Sequence, residues 1–153
     1  NICFNIIGNG SKSTELKQKL NKQIKKKRVT FKSFISQKKL NKILNRSDAY
    51  FITLKKGHSF DLIIPGKFST YLSFGKPILG NCCGDLYKII RQNKIGFASK
   101  QNNYKELAEN INKLQRLNKY EKLNIYKNCK KLFSGVFDLH FNLFILKKYL
   151  KKN

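Results

Sequence analysis

The chain has 153 residues, 41 % of them hydrophobic, which is enough for one domain with a core and too apolar for a disordered chain. Its net charge of +25 invites a nucleic-acid reading, but only Arg28, Arg46, Arg91 and Arg116 are arginines, and bidentate phosphate and base-edge recognition favour Arg. The remaining basic residues are lysines spread over nearly every predicted helix, which reads as a solvated surface. Contact with an anionic membrane is a second use for them, and nucleic acid is not expected as a partner. No apolar run approaches the roughly 20 residues that span a bilayer. The N-terminal run Ile2–Ile7 reads as a strand rather than a signal peptide, so a cytoplasmic location is expected, at most peripheral at the inner face of the plasma membrane. The chain starts at Asn1 and contains no Met, which reads as a segment of a longer protein. Cys3, Cys82, Cys83 and Cys129 have no metal-ligand spacing, and reduced thiols are expected.

Ile2 to Ile7 is a short β-rich run ended by Gly8-Asn9-Gly10. Ser11 or Ser13 is placed to cap a following helix, in which Leu16, Leu20 and Ile24 form an apolar stripe that Lys25–Arg28 closes. Val29, Phe31 and Phe34 predict the next strand. A helix follows Ser36 with Leu40, Ile43 and Leu44 inside, and Ala49 to Leu54 is a third strand after Asp48. Lys55 to Ser59 reads as a polar loop. A short helix is expected from about Gly66 to Phe74 and a strand from Pro77 to Gly80. Asp85 opens another helix, Ile95 to Ala98 is a strand, and Asn102 or Asn103 caps a helix carrying Leu107, Ile111 and Leu114. Two more helices run from about Lys119 to Leu132 and from about Asp138 to Lys151.

Strands alternating with helices, and mostly apolar throughout, predict a parallel sheet covered on both faces. Right-handed crossovers make this an α/β, Rossmann-like doubly wound domain over residues 1–153, with a C-terminal helix region at 133–153. Ligands of such sheets lie outside the C-terminal strand ends. The loops there are Gly8–Ser11, Phe34–Ser36, Leu54–Pro65, Gly80–Asp85 and Ala98–Asn103. Pro65 and Gly66 stand where a helix begins, with Lys67 in its first turn. A helix start has N–H groups with no partner inside the helix, so it suits an anion.

The segments IIGNGSKSTELK, IIPGKFSTYLSFGKPILG, GDLYKII and IGFASKQNNYKELAENI, in this order, resemble the C-terminal half of a glycosyltransferase of family four with the GT-B fold. The central one is similar to the pattern P-x-K-x-x-x-Y-x-A-x-G-K-P-I, and the likeness runs from Ile2 to about Lys151. The resemblance implies sugar transfer from a nucleotide-diphosphate donor to a glycan or lipid-linked acceptor, with retention at the anomeric carbon. It implies no cofactor, and no motif calls for a metal. It places Phe34 and Ile35 beside the base, Ile64, Pro65 and Gly66 at the donor phosphates, and Lys67 at the lysine of the pattern. Thr70 and Leu62 fall where many members carry the two carboxylates of Glu-x₇-Glu, so both carboxylates are absent and Asp85 is left to supply an acceptor. The family pattern also implies an acceptor domain and a basic, charge-neutralising pair upstream of Asn1, so the catalytic residues are expected outside this segment.

Each of these residues has a plainer reading. Lys67 is otherwise a solvated first-turn lysine, Thr70 a helix residue bonding its own backbone, and Asp85 a helix cap. His58 approaches the donor sugar or is a solvated loop residue. His140, Asp48 and Lys76 read as surface or structural residues, and Phe31, Phe51, Phe68, Tyr71 and Phe74 as core. A non-catalytic Rossmann-like module that holds RNA or an anionic membrane is the competing function.

Overall fold

The computed structural model of the chain describes residues 2–55 and 57–150, and their side chains except at 58, 59, 139, 141 and 145. The chain forms two compact units, Asn1–Arg46 and Ser47–Asn153. Each has a parallel sheet with helical crossovers, so the α/β expectation holds.

In the first unit, β1 (Phe4–Ile7) pairs in parallel with β2 (Val29–Lys32), in a register running from Phe4 opposite Val29 to Ile7 opposite Lys32. The expected single helix between them is two helices, α1 (Ser13–Lys19) and α2 (Asn21–Lys25), broken at Leu20 with φ −98° and ψ 11°. The Leu20 N–H still bonds the Leu16 carbonyl at 3.0 Å and the Ile24 N–H the Leu20 carbonyl at 2.9 Å, so the apolar stripe survives the break. Neither Ser11 nor Ser13 caps α1. A turn closed by the Ser13 N–H on the Gly10 carbonyl puts Lys12 at the cap position, without a side-chain cap bond. Phe34 is not in β2. The ladder ends where the Gly8 N–H bonds the Lys32 carbonyl, because Gly8 (φ +123°) turns β1 away and leaves later residues no partner strand. Helix α3 (Gln37–Arg46) follows Ser36.

The second unit holds a three-stranded sheet, β3 (Tyr50–Thr53), β4 (Ile78–Asn81) and β5 (Gly96–Ser99), with β4 central and all strands parallel. Between β3 and β4 the chain makes a one-turn helix, α4 (His58–Asp61), in what the sequence marks as loop, then α5 (Lys67–Phe74). Helices α6 (Gly84–Gln92), α7 (Tyr104–Arg116) and α8 (Lys119–Leu132) follow. A π-helical turn, Phe133–Phe137, leads to α9 (Leu139–Leu150). The core is Ile52 and Ile78 from the strands, Phe68 and Leu72 from α5, Leu86 and Ile90 from α6, and Ile125 and Cys129 from α8. Apolar burial of this kind, roughly 1.5–3 kcal/mol per large side chain, holds short elements that propensity alone would not. Phe68 joins the core as expected, whereas Phe51 stays 36 % exposed on the edge strand β3. No helix among the described residues is long and apolar enough to cross a membrane.

Candidate functional site

Helix α5 is held from below by aromatic side chains. Phe68, fully buried, meets Phe137 edge-on at 5.5 Å, and Tyr71 stacks on Tyr50 at 4.4 Å. Burial raises the pKa of both tyrosine hydroxyls, so this clamp stays neutral at ordinary pH. The far end of α5 closes on Gly75, whose left-handed φ of +70° lies under the Tyr126 ring, where a Cβ would come within 2.3 Å.

This clamp fixes the direction of the N-terminus of α5. The Phe68 N–H turns back to the Pro65 carbonyl at 2.8 Å, and the Ser69 hydroxyl donates to the Gly66 carbonyl at 2.9 Å. Among the described residues the N–H groups of Gly66 and Lys67 have no acceptor. Gly66 is helical (φ −54°) and a Cβ there would meet nothing within 4 Å, so its backbone is open to approach. Lys67 and Ile64 are exposed, Pro65 and Thr70 half-buried, and the Thr70 carbonyl accepts from the Ser73 hydroxyl at 2.7 Å. A short segment of free amides, one free ammonium and one hydroxyl is suited to an oxyanion.

The C-terminal ends of β3, β4 and β5 form one edge, tied together by polar groups. The Gln101 side-chain amide donates to the Leu54 and Lys55 carbonyls at 2.9 and 2.7 Å, joining the loop after β5 to the loop after β3. The buried Ser99 hydroxyl donates to the Gly80 carbonyl at 3.2 Å. Gly84 (φ +65°) packs so closely under α4 that a Cβ would lie 1.8 Å from the Asp61 carbonyl oxygen. Only glycine meets both conditions.

Asp85 is not a cap. Cys83 holds the cap position with no side-chain bond, because the Gly84 turn starts α6 one residue earlier and sets Asp85 in the first turn. The Asp85 carboxylate, half exposed, pairs with Lys88 at 3.4 Å. Leu62 is 65 % exposed. Phe34, 80 % exposed, and Ile35, half-buried, belong to the first unit, whereas Ile64 to Thr70 and Asp85 belong to the second. The side chain of His58 lies outside the described ones, and His140 is exposed. All four cysteines are free, with Cys82 and Cys129 buried.

The sequence reading passed over Asp61, Asn81 and Gln101. Asp61 Oδ1, Asn81 Oδ1 and Gln101 Oε1 are buried without a hydrogen-bond partner, as is Asn110 Nδ2 on α7. Spacing from the lysine motif leads to Leu62, one residue past Asp61, and nothing in the pattern marks Asn81 or Gln101.

The chain matches the family described as Glycosyl transferases group 1 over residues 1–131. No curated protein matches it. Among solved structures it is similar to Alr3699/HepE of Anabaena in complex with UDP-glucose, with a TM-score of 0.74 and 19 % identity over 97 % of this chain and 41 % of that one. The same protein with UDP and glucose gives a TM-score of 0.72 and 19 % identity, over 97 % and 40 %. AviGT4, a glycosyltransferase involved in avilamycin A biosynthesis, gives 0.67 and 14 %, over 97 % and 41 %. The chain therefore spans about two fifths of the length of the structures it matches. At these identities the likeness shows the fold, the Rossmann-like α/β architecture of GT-B glycosyltransferases.

Proposed function

Because the chain belongs to the group 1 glycosyl transferases, we propose that it is the donor half of a family-four, GT-B enzyme that transfers a sugar with retention from a nucleoside diphosphate to a glycan or lipid-linked acceptor. The observation that carries the reading is the N-terminus of α5, where the Gly66 and Lys67 amides and the Lys67 ammonium are free at an open backbone position. In the reaction the bond between the anomeric carbon and the β-phosphate oxygen breaks. The electron pair leaves with the diphosphate, the acceptor oxygen takes its place on carbon, and the acceptor's hydroxyl proton passes to the departing phosphate oxygen.

Groups already pointing at the developing charge need no reorganisation, and stabilise it more than water does. The helix N-terminus contributes about 0.3–1 kcal/mol at an exposed site, and Lys67 adds a charge-assisted contact. Thr70 is assigned a donor hydroxyl. UDP is the first nucleotide to test, since the Anabaena structures hold UDP or UDP-glucose.

The test is calorimetric titration of UDP, GDP and ADP into the intact chain and into Lys67→Ala and Thr70→Ala. The wild type is expected to bind one of them, with Lys67→Ala weakening it about tenfold and Thr70→Ala by less. A wild type that ignores all three, while binding RNA or anionic vesicles, would replace the donor reading with that of a basic binding module.

A further inference from the structure

Helix α5 is eight residues long, and its own last turn holds no basic residue. The carbonyls that end it are met instead from α8. The Lys130 ammonium donates to the Ser73 carbonyl, and Lys130 Nζ lies 5.5 Å from the centroid of the Tyr126 ring. That ring covers Gly75, the residue on which α5 closes. The Cys129 thiol, one residue before Lys130, donates to the Lys76 carbonyl at 3.8 Å. Tyr126, Cys129 and Lys130 stand at i, i+3 and i+4, so one face of α8 grips the end of α5.

Lys130 differs from the lysines around it. Among the described residues it is the only lysine whose ammonium donates to a main-chain carbonyl, and it has no carboxylate within ion-pair reach. Its side chain is half-buried against α5 rather than solvated. A cation is favourable there because it meets the negative end of the helix dipole. The same contact acts on the other end of α5 through geometry. An isolated helix of eight residues is not stable in water, so α5 keeps its length and direction through what packs on it. Phe68 and Leu72 hold its buried face, and Lys130 closes its last turn. The turn before is tied to the same place, since the Ser73 hydroxyl donates to the Thr70 carbonyl. A helix of this length spans about 12 Å, so Lys130 stands too far from the Gly66 and Lys67 amides to touch what they hold.

We propose that Lys130 is a positioning residue for the donor site: by closing the carbonyl end of α5 it holds the Gly66 and Lys67 amides, at the opposite end, where the donor diphosphate is taken. This rests on the donor reading above. Loss of the ammonium frees the last turn and lets α5 tip about Phe68 and Leu72, which moves the amides without removing any group that touches the ligand. With the ammonium in place the negative end of α5 is neutralised, and the positive end is left to act on the anion.

The intact wild type and the Lys130→Met, Lys130→Arg and Lys131→Met variants are titrated calorimetrically with UDP, GDP and ADP, well below their thermal midpoints. Lys130→Met keeps the apolar stem without the ammonium, and is expected to lower affinity about fivefold. Lys130→Arg keeps charge and donor, and should restore affinity to within about twofold of wild type. Lys131 is the adjacent, exposed lysine, so Lys131→Met removes the same net charge and should leave affinity unchanged. Amide NMR spectra of the ligand-free proteins give a second readout. The Gly66 and Lys67 signals should shift in Lys130→Met and return in Lys130→Arg. Lys130→Gln takes the place of Lys130→Met if the latter does not fold. A wild type that binds, with unchanged affinity and unchanged Gly66 and Lys67 signals in Lys130→Met, overturns the positioning role alone, and a lowered midpoint in that variant then marks Lys130 as a structural tie. Equal losses in Lys130→Met and Lys131→Met overturn it in favour of net charge. A wild type that binds none of the three nucleotides overturns the donor reading and the positioning role with it.

Discussion

Gly66 and Gly84 both stand at helix starts, and their surroundings are opposite. Gly84 has φ +65°, and a Cβ would fall 1.8 Å from the Asp61 carbonyl oxygen. Gly84→Ala therefore adds left-handed strain to a backbone collision, and is expected to cost about 3 kcal/mol in a urea unfolding curve. Gly66→Ala meets open space at φ −54°, and should stay within about 0.5 kcal/mol of wild type. A drop in nucleotide affinity in that variant would then report a ligand close to the backbone. The buried thiols set a limit at high pH. Burial pushes Cys82 and Cys129 up to about 12 from an ordinary 9.0. Between those values the unfolded chain releases protons that the folded chain keeps. The contribution is complete below about pH 9 and is lost on the way to 12. The urea midpoint should stay level to about pH 9 and then fall, and Cys129→Ala should fall less steeply. The start of α5 at Lys67 was legible at this scale because Pro65, Gly75 and Pro77 punctuate the sequence. Asp61 was not, since whether a carboxylate oxygen finds a partner depends on loops distant in sequence.

Elements with a long apolar period were read nearly to the residue, and short ones were not. The range expected for α8 matches the observed one, and the structure adds a capping box. The Asn118 side chain accepts from the Glu121 N–H, and Glu121 accepts from the Asn118 N–H at 2.8 Å. Asn103 caps α7 in the same way, accepting from the Glu106 N–H at 3.1 Å. Asn118→Ala is expected to cost about 1 kcal/mol, measured by chemical unfolding, with Asn103→Ala close to it. Lys12→Ala, at the start of α1 where no side-chain cap bond exists, should change little. Four residues cannot display a 3.6-residue period, which is why α4 read as loop. The break at Leu20 was equally hidden, because the stripe Leu16, Leu20, Ile24 passes through it without losing a hydrogen bond. The end of β2 before Phe34 was set by Gly8 in a different strand, and local alternation carries no record of that.

Alternation of strand and helix was enough to predict a parallel α/β chain, but not how the strands divide. Pairing is long-range, and the five strands form a two-stranded and a three-stranded sheet in separate compact units. The units differ in how much apolar surface they bury. Val29 and Leu44 are the buried hydrophobic side chains of the first unit among the described residues. In the second, Ile52, Phe68, Leu72, Ile78, Leu86, Ile90 and Ile95 are all at 0 % exposure. Local opening costs least where few apolar contacts are lost. Backbone amides of β1 and β2 are therefore expected to exchange with deuterium by local opening of the first unit. Amides of β3, β4 and β5 should exchange only through the global transition, and respond to urea with its full slope. Equal protection in the two sheets would mean that the first unit draws its stability from something other than buried apolar area.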